Sequence, residues 1–215
     1  MIKQFIFNHF QENTYVVWDK ESKQCVIIDP GCNEKEEKEE LFDFIEKNNL
    51  KVKHLLLTHP HIDHFCGAGD AALRYNVPIT MHKEGRKIFD IFALQAEGMN
   101  FHPVNMENVN IEYIDYNCQI AIADGYTLQT INASGHCPGS IAYYSQQDNA
   151  VFTGDAVFRL SIGRTDLYGG NLDELLLNIN NNIMTLPLDT VIMCGHGEPS
   201  DVEFERSNTP YIQHY

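Results

Sequence analysis

The sequence predicts a layered α/β sandwich on three grounds. Short segments rich in β-branched and aromatic residues are typical of strands, and segments with helical hydrophobic spacing lie between them. Strands that come in groups with helices interspersed favour sheets covered by helices. No repeat or Pro/Gly/Ser-rich linker interrupts the 215 residues, a length that fits one domain, so we expect residues 1–215 to form a single domain.

The first third of the chain contains three predicted strands and one predicted helix. The strands are 2–7, 13–18 and 24–28. Polar turns separate them, and Asp29-Pro30-Gly31 is typical of a turn that ends the third strand. Residues 34–47 place Leu41, Phe44 and Ile45 on one face, which predicts an amphipathic helix.

The remainder of the chain alternates strands with helices. The Leu55-Leu56-Leu57 run indicates a strand that is buried on both faces. The predicted strands are 52–58, 77–81, 127–131, 141–144, 150–152 and 190–193. The predicted helices are 68–75, 83–97 and 172–183. Apolar residues in 89–101 could cover a cleft, although packing in the core is the commoner fate of such residues.

The formal net charge of −15 limits the partners that the chain can have. An acidic surface repels phosphate backbones, which argues against nucleic-acid binding. It also slows the approach of an anionic substrate unless a local basic patch compensates. We therefore expect a small-molecule substrate and no nucleic acid, while the sequence leaves the oligomeric state open.

Cysteine usage and the apolar segments indicate the compartment. The six cysteines form no C-x-x-C pair and are scattered, which favours reduced thiols in an intracellular protein. Residues 1–5 lack the apolar core of a signal peptide, and no segment has the apolar length needed to span a bilayer. We expect a cytoplasmic protein that does not bind a membrane.

A histidine-rich loop, residues 58–64 with the sequence THPHIDH, is the strongest chemical signal. It places three imidazoles and one carboxylate within six positions, directly after a predicted buried strand. Neutral imidazole and carboxylate are common ligands of zinc and related first-row metals. The alternative, a polar loop with scattered histidines, suits five histidines elsewhere in the chain. These are His9, His54, His82, His102 and His214.

Three further ligand candidates follow glycines at predicted strand ends. Gly135-His136, Gly154-Asp155 and Gly195-His196 each come after an apolar segment. Glycine lets the backbone turn sharply and approach closely. Each pair is weak evidence alone, but strands that end at one edge would gather all three with the histidine-rich loop over a single cleft. Together these residues predict a metal centre.

These motifs resemble the metallo-β-lactamase superfamily. The pattern His59-x-His61-x-Asp63-His64, with the three glycine–ligand pairs after it, runs along nearly the whole chain. The similarity is greatest to the glyoxalase II-like (hydroxyacylglutathione hydrolase-like) branch, and within it to short bacterial members that carry the motif found here as Gly163-Arg164-Thr165-Asp166. The resemblance implies a four-layer αββα sandwich, the metallo-β-lactamase fold, with the metals at one edge of the two sheets.

Carried over by position, the resemblance implies a binuclear centre. The implied ligands are His59, His61 and His136 for the first ion, Asp63, His64 and His196 for the second, and Asp155 for both. Zinc is the expected metal, although iron and manganese accept the same ligands. True β-lactamases of the main zinc class have a cysteine where Asp155 stands, which argues against lactam hydrolysis. His61 argues against the flavodiiron branch, where a glutamate is usual.

The implied activity is hydrolysis by attack of a metal-bound hydroxide on a carbonyl carbon. A thioester such as a hydroxyacylglutathione-like compound suits this chemistry, because a thiolate is a good leaving group. Asp63 is expected to steer the nucleophile or relay a proton, in addition to binding metal. The alternative is a mononuclear iron persulfide dioxygenase, whose iron would fall on His59, His136 and Asp155. A non-catalytic metal-binding protein is disfavoured, since a site without a reaction need not keep an open centre.

Three residues near the ligands have two interpretations each. Asp29 is either a hydrogen-bond partner of a ligand histidine or a simple turn former. Cys137 is expected to be structural, the alternative being a redox-sensitive thiol beside the metal. Arg164 is a candidate to grip a substrate carboxylate, or it pairs with Asp166. Only 19 residues follow His196, so the helical domain that completes the glutathione site in full-length glyoxalase II is not expected, which weakens the case for glutathione specificity.

Overall fold

Within residues 1–212, the part of the chain that this computed structural model describes, two six-stranded sheets stack face to face. The first sheet, in spatial as in chain order, contains β1 (Ile2–Phe7), β2 (Glu12–Trp18), β3 (Gln24–Ile28), β4 (Lys51–Leu56), β5 (Ile79–Met81) and β6 (Ile111–Tyr113). The predicted single domain extends to residues 213–215; these, with His214, lie outside the described residues.

The second sheet is formed by strands from the later half of the chain. The strands in this later half are, in chain order, β7 (Gln119–Ala123), β8 (Tyr126–Asn132), β9 (Ile141–Ser145), β10 (Ala150–Gly154), β11 (Val157–Phe158), β12 (Ser161–Ile162), β13 (Val191–Cys194) and β14 (Ser200–Asp201). The second sheet has the order β14-β13-β10-β9-β8-β7, and β11 pairs with β12 in a separate hairpin.

Helices cover the outer faces of both sheets. They are α1 (Lys35–Lys47), α2 (Ile62–Phe65), α3 (Ala68–Tyr75), α4 (Arg86–Phe89), α5 (Phe92–Gly98), α6 (Leu172–Asn178) and α7 (Val202–Asn208). A 3₁₀ turn (Lys83–Gly85) precedes α4, and a π-helical segment (Ile179–Ile183) follows α6. None of these helices has the length and apolar character required to cross a bilayer.

Buried apolar side chains in the described chain form clusters that correspond to the interfaces between layers. One cluster lies between the sheets, where Tyr15 and Ile28 of the first sheet join Leu128 and Phe152 of the second. A second cluster joins α1 and α3 to the first sheet, and a third joins α6 and α7 to the second sheet. The order helix, sheet, sheet, helix confirms the predicted αββα sandwich.

The predicted helix 83–97 is not continuous but breaks between α4 and α5. The side chain of Gln95 bridges the break and the histidine-rich loop. Its Nε2 donates to the carbonyls of Ile88 (2.8 Å) and Pro60 (3.3 Å), and its Oε1 accepts from the Ile62 amide (3.1 Å). These contacts tie α5 to the loop, so tertiary contact outweighs local helix propensity.

Several short elements carry too little pattern to be predicted. β6 and β14 are edge strands of three and two residues, which give periodicity few residues to act on. The edge strand β7, of five residues, is also absent from the sequence expectation. The hairpin β11–β12, α2 and α7 are also absent from the sequence expectation. The predicted helix 172–183 is present, but its second half adopts the wider π geometry.

The sheet topology brings the predicted ligand loops to one edge of the sandwich. β10 and β13 are parallel neighbours, so the residues that follow them emerge side by side. The amide of Gly195 donates to the carbonyl of Gly154 (2.8 Å), and the amide of Asn13 donates to the carbonyl of Gly195 (2.8 Å). The amide of Ile141 donates to the carbonyl of Thr58 (2.8 Å), which ties the end of β4 to the second sheet. Both sheets therefore hold the loop cluster.

Candidate metal centre

Six of the seven predicted ligands converge in two groups. The first group is His59, His61 and His136, and the second is Asp63, His64 and His196, each with its ligand atoms within 4.8 Å of one another. Imidazole nitrogens and carboxylate oxygens that approach this closely can surround one cation per group. The centre therefore draws on the histidine-rich loop and on loops of the second sheet.

Asp155 lies between the two groups. Its Oδ2 is 3.8 Å from Nε2 of His136, in the first group. Its Oδ1 is 3.3 Å from Nε2 of His64 and 3.7 Å from Nε2 of His196, both in the second group. The two carboxylate oxygens thus face different groups, which is the arrangement that a bridging ligand requires.

The outer nitrogens of the imidazoles are held by hydrogen bonds. Nδ1 of His136 donates to the backbone carbonyl of Arg164 (2.7 Å), and Nδ1 of His196 donates to that of Phe10 (3.1 Å). Because a carbonyl only accepts, Nδ1 carries a proton in both rings, and Nε2 faces the centre, where Nε2 of His136 lies 2.9 Å from Nδ1 of His61. Such partners fix the tautomer and the orientation of metal-binding histidines.

Asp29 contacts the buried His64 directly and the buried His59 through Thr58. Its Oδ1 accepts from the Thr58 amide (2.7 Å), and its Oδ2 accepts from the Thr58 hydroxyl (2.6 Å) and from Nδ1 of His64 (3.0 Å). Oγ1 of Thr58 also lies 3.0 Å from Nδ1 of His59. Asp29 contacts the outer nitrogen of His64 rather than Nε2, so its position is that of the histidine partner considered in the sequence.

Sequence reasoning missed Glu12, a fully buried carboxylate beside the same histidine. Its Oε2 accepts from the Thr14 hydroxyl (2.9 Å), and its Oε1 lies 4.0 Å from Nδ1 of His64 without a hydrogen-bond partner in the described residues. Burial raises the pKa of Glu12 well above its ordinary value. The only signal in the sequence is a charged residue directly before an apolar strand, which does not distinguish a buried carboxylate from an exposed turn.

Glycine is required where the second sheet meets the ligands. A Cβ on Gly195 would lie 2.3 Å from Oδ1 of Asp155 and 2.8 Å from Cε1 of His64. Gly154 has a φ of +50° and a Cβ there would lie 2.3 Å from Oγ1 of Thr58. The glycine before each of these ligands therefore gives the backbone room to approach the neighbouring side chains.

The charges of four candidate ligands, His59, His61, Asp63 and Asp155, suit metal binding at neutral pH. Burial lowers the pKa of His59 well below its ordinary value and, with repulsion from a neighbouring imidazole, lowers that of His61 to about 4. Burial acts to raise the pKa of Asp155 and of Asp63, but the neighbouring His64 outweighs it and both pKa values lie below the ordinary range. His59 and His61 are therefore neutral and Asp63 and Asp155 ionised, the forms that bind metal. Burial acts to lower the pKa of His64 and of His196, but neighbouring carboxylates outweigh it and raise both, so a bound metal would have to displace a proton there.

Buried polar atoms without hydrogen-bond partners show that the residues fit a metal. Within residues 1–212 these atoms include His59 Nε2, His64 Nε2 and Asp155 Oδ1. Buried polar atoms are normally paired, so three unpaired atoms that point at one cleft indicate a missing cationic partner. Imidazole and carboxylate donors fit zinc, iron or manganese.

The remaining candidates lie beside the centre in different ways. The guanidinium of Arg164 is exposed and makes two hydrogen bonds to Asp166, at 2.7 and 2.8 Å, so a role in substrate binding stays a prediction. Cys137 is buried, with Sγ 3.4 Å from Oγ of Ser140, and burial raises the pKa of its thiol to about 12. These contacts favour the structural interpretation of Cys137.

An αββα sandwich with histidines and aspartates gathered at one edge defines a class of metal-dependent hydrolases. The chain belongs to the metallo-β-lactamase superfamily: the profile of the family described as "Metallo-beta-lactamase superfamily" matches residues 8–196. Members of this superfamily bind divalent metals, and the histidine clusters here could hold such ions.

Known relatives agree with this assignment over nearly the whole chain. Hydroxyacylglutathione hydrolase GloC of Haemophilus influenzae is 32% identical over 204 residues, which cover 94% of this chain and 93% of GloC. The solved structure of the BLEG-1 B3 metallo-beta-lactamase is 30% identical and superposes with a TM-score of 0.88, covering 99% of both chains. That of TTHA1623 in a di-iron-bound form is 25% identical with a TM-score of 0.84, covering 97% of this chain and 99% of the other.

Proposed function

We propose that the protein is a binuclear metal-dependent hydrolase that cleaves a thioester, such as a hydroxyacylglutathione-like compound. The observation that carries the proposal is the position of Asp155, whose two carboxylate oxygens face different groups of ligands. Two divalent ions bound there, with zinc as the proposed metal, would supply Lewis acidity and a hydroxide nucleophile at neutral pH.

In this proposal each ligand group holds one ion. The first ion is assigned to His59, His61 and His136, the second to Asp63, His64 and His196, and Asp155 is shared. The outer hydrogen bonds of the imidazoles keep their ligand nitrogens aimed at the cleft without further rearrangement. Because these side chains are already oriented, the charges that line the cleft need not rearrange when substrate binds.

Asp63 is the proposed catalytic carboxylate. Its side chain is 13% exposed, and its Oδ2 lies 3.3 Å from Nε2 of His196 and 3.7 Å from Nε2 of His64. Asp63 therefore contacts the other two members of the second group and is also partly open to solvent. Because its pKa is lowered, the carboxylate is ionised at neutral pH and can accept a proton at Oδ2 or orient the group that carries it.

The choice of a thioester rests on chemistry and on similarity. A thiolate is a good leaving group, and GloC, which is similar over nearly the whole chain, is described as a hydroxyacylglutathione hydrolase. The similarity to BLEG-1, described as a B3 metallo-beta-lactamase, makes a β-lactam the necessary comparison substrate. We also propose a cytoplasmic location, which is supported by six unpaired cysteines.

The proposal is tested with purified protein loaded with zinc, iron or manganese and a panel of acyl thiols. We expect two ions per chain, and hydrolysis that chelation abolishes and added metal restores. Asp155→Asn should bind fewer ions and lose hydrolysis, while Asp166→Asn, an exposed aspartate that pairs with Arg164, should keep both. One iron per chain with oxygen uptake on a persulfide would instead indicate a dioxygenase. Faster turnover of a β-lactam than of any thioester would indicate a lactamase.

A further inference from the structure

A pocket with a volume of about 490 Å³ has Pro138 in its lining, two residues after the candidate ligand His136. Its lining includes Lys83, Arg86, Lys87, Pro138, Tyr168 and Gly169, and we call it the basic pocket. We propose that the basic pocket binds an anionic group of the substrate, a carboxylate or a phosphate. This inference rests on the proposed function, since it assigns a charge to the thioester that the metal centre would cleave.

Two prolines that are close in sequence to candidate ligands contact the segments that line the basic pocket. A Cβ on Gly85 would lie 3.0 Å from Cγ of Pro60, the residue between the first two histidines of the histidine-rich loop. A Cβ on Gly169 would lie 2.6 Å from Cγ of Pro138, which comes two residues after His136. Two residues of extended chain span at most about 7 Å, so the Cα atoms of His136 and Pro138 are no farther apart than this, a distance that one substrate can bridge.

The loop after β12 also connects the two sites. The carbonyl of Arg164 accepts from Nδ1 of His136, and five residues later Gly169 packs on Pro138 at the pocket. Tyr168, whose side chain is largely exposed, adds an aromatic ring and a hydroxyl to the rim. The same short loop therefore positions a ligand histidine and one wall of the pocket.

The charge of the pocket departs from that of the chain. Three of the 15 basic residues of a chain with net charge −15 stand within the five positions 83–87. Glu84 also lines the pocket, but its carboxylate is 58% exposed. Lys83 and Arg86 have the acidic neighbours Asp115 and Asp90, so attraction for an anion depends on Lys87 and on displacement of these exposed ion pairs.

Among the described residues, one cation of the pocket is unpaired and the other two form exposed ion pairs. Lys87 forms no ion pair or hydrogen bond with the described residues 1–212. Lys83 lies 3.3 Å from Asp115, and Arg86 pairs with Asp90, but all four of these side chains are about half exposed or more. Exposed ion pairs of this kind are weak and screened by water, so an anion can compete for the cations.

The test compares a double variant of the pocket with a matched double variant elsewhere. Lys83→Gln/Lys87→Gln removes two charges and keeps Arg86, which also donates to the hydroxyl of Tyr113. Lys35→Gln/Lys47→Gln removes two exposed charges from α1, far along the chain from the pocket. Substrates share one acyl group on three thiols: N-acetylcysteamine, which is neutral, glutathione, which carries carboxylates, and coenzyme A, which carries phosphates.

We expect the pocket variant to lower kcat/KM for at least one anionic thioester by about tenfold, mostly through KM, the size that two exposed charge contacts can supply. The neutral thioester should be unaffected, and rising salt should shrink the preference of the wild type. The arm that loses activity distinguishes a carboxylate from a phosphate. An equal loss in both double variants, or no loss in either, would overturn the basic pocket as an anion site.

Binding of unreactive thioethers separates this inference from the proposed function. S-alkyl derivatives of the same three thiols are titrated calorimetrically into metal-loaded wild type and both variants. If no thioester is hydrolysed but an anionic thioether binds about tenfold more weakly to the pocket variant alone, the thioesterase proposal fails and the anion site stands. If thioesters are hydrolysed but the pocket variant binds and cleaves every compound like wild type, the anion site fails alone.

Discussion

Replacing Asp29 by asparagine should weaken the second metal site without disturbing the backbone. The carboxylate accepts three hydrogen bonds, two from Thr58 and one from Nδ1 of His64. Asparagine has the same shape and tolerates the φ of +48° at this position, but it offers only one acceptor oxygen. If that oxygen keeps the Thr58 amide, the new NH₂ group faces the N–H of His64. The imidazole must then move its proton to Nε2, the atom assigned to the metal.

The expected size of this effect follows from the role of the lost contact. Changes to partners of metal-binding histidines cost about 10–100-fold in metal affinity, or about 1.4–2.7 kcal/mol. The first ion should be affected less, because Oγ1 of Thr58 can still accept from His59. A chromophoric chelator that competes for each ion in Asp29→Asn and wild type measures both affinities, and thermal unfolding of the metal-free proteins checks that the fold is kept.

Asp166→Asn is the matched control, since it makes the same chemical change in an exposed side chain. It should bind both ions like wild type. Wild-type affinity for the second ion in a folded Asp29→Asn protein would refute the tautomer argument, as would an equal loss in the control.

Three other predictions concern stability and access. Gly195→Ala places a Cβ 2.3 Å from Oδ1 of Asp155 and should lower the metal content, whereas Gly98→Ala, whose Cβ meets open space, should not. Iodoacetamide should label at most Cys118 in the native protein near about pH 8, because the five other cysteines are buried; rapid labelling of a second thiol, found by mass spectrometry, would contradict the burial. Burial acts to raise the pKa of Asp148, but hydrogen bonds to its carboxylate outweigh burial and hold the pKa below the ordinary 3.8. The ionised carboxylate therefore stabilises the folded protein above that pH, and this stabilisation is lost as the pH falls through the folded-state pKa. The difference in Tm between metal-free wild type and Asp148→Asn should therefore shrink from about pH 5 to about pH 3, and a constant difference would count against it.

Three of the candidate ligands were visible in the sequence because each one follows a glycine near a strand end. Gly135-His136, Gly154-Asp155 and Gly195-His196 combine a backbone requirement with a side-chain requirement, and the fold brings them to one edge. Longer elements such as α1 and α3 were predictable for a similar reason, since their periodicity extends over several turns. The break between α4 and α5 was not, because it depends on contacts of Gln95 with a loop more than thirty residues earlier.

What holds the ligands in place was harder to predict, because much of it is backbone. Nδ1 of His136 and of His196 donate to the carbonyls of Arg164 and Phe10, and any residue type at those positions offers the same carbonyl. The residue type at positions 10 and 164 therefore does not reveal that the backbone there holds a histidine. At position 29 the residue type is informative, because few side chains could replace the carboxylate. Arg164 holds His136 through its backbone carbonyl, whereas its predicted role in substrate binding belongs to the guanidinium. Changing it to glutamine removes the guanidinium but keeps the carbonyl, so the metal centre should stay intact and any change in KM would come from the side chain.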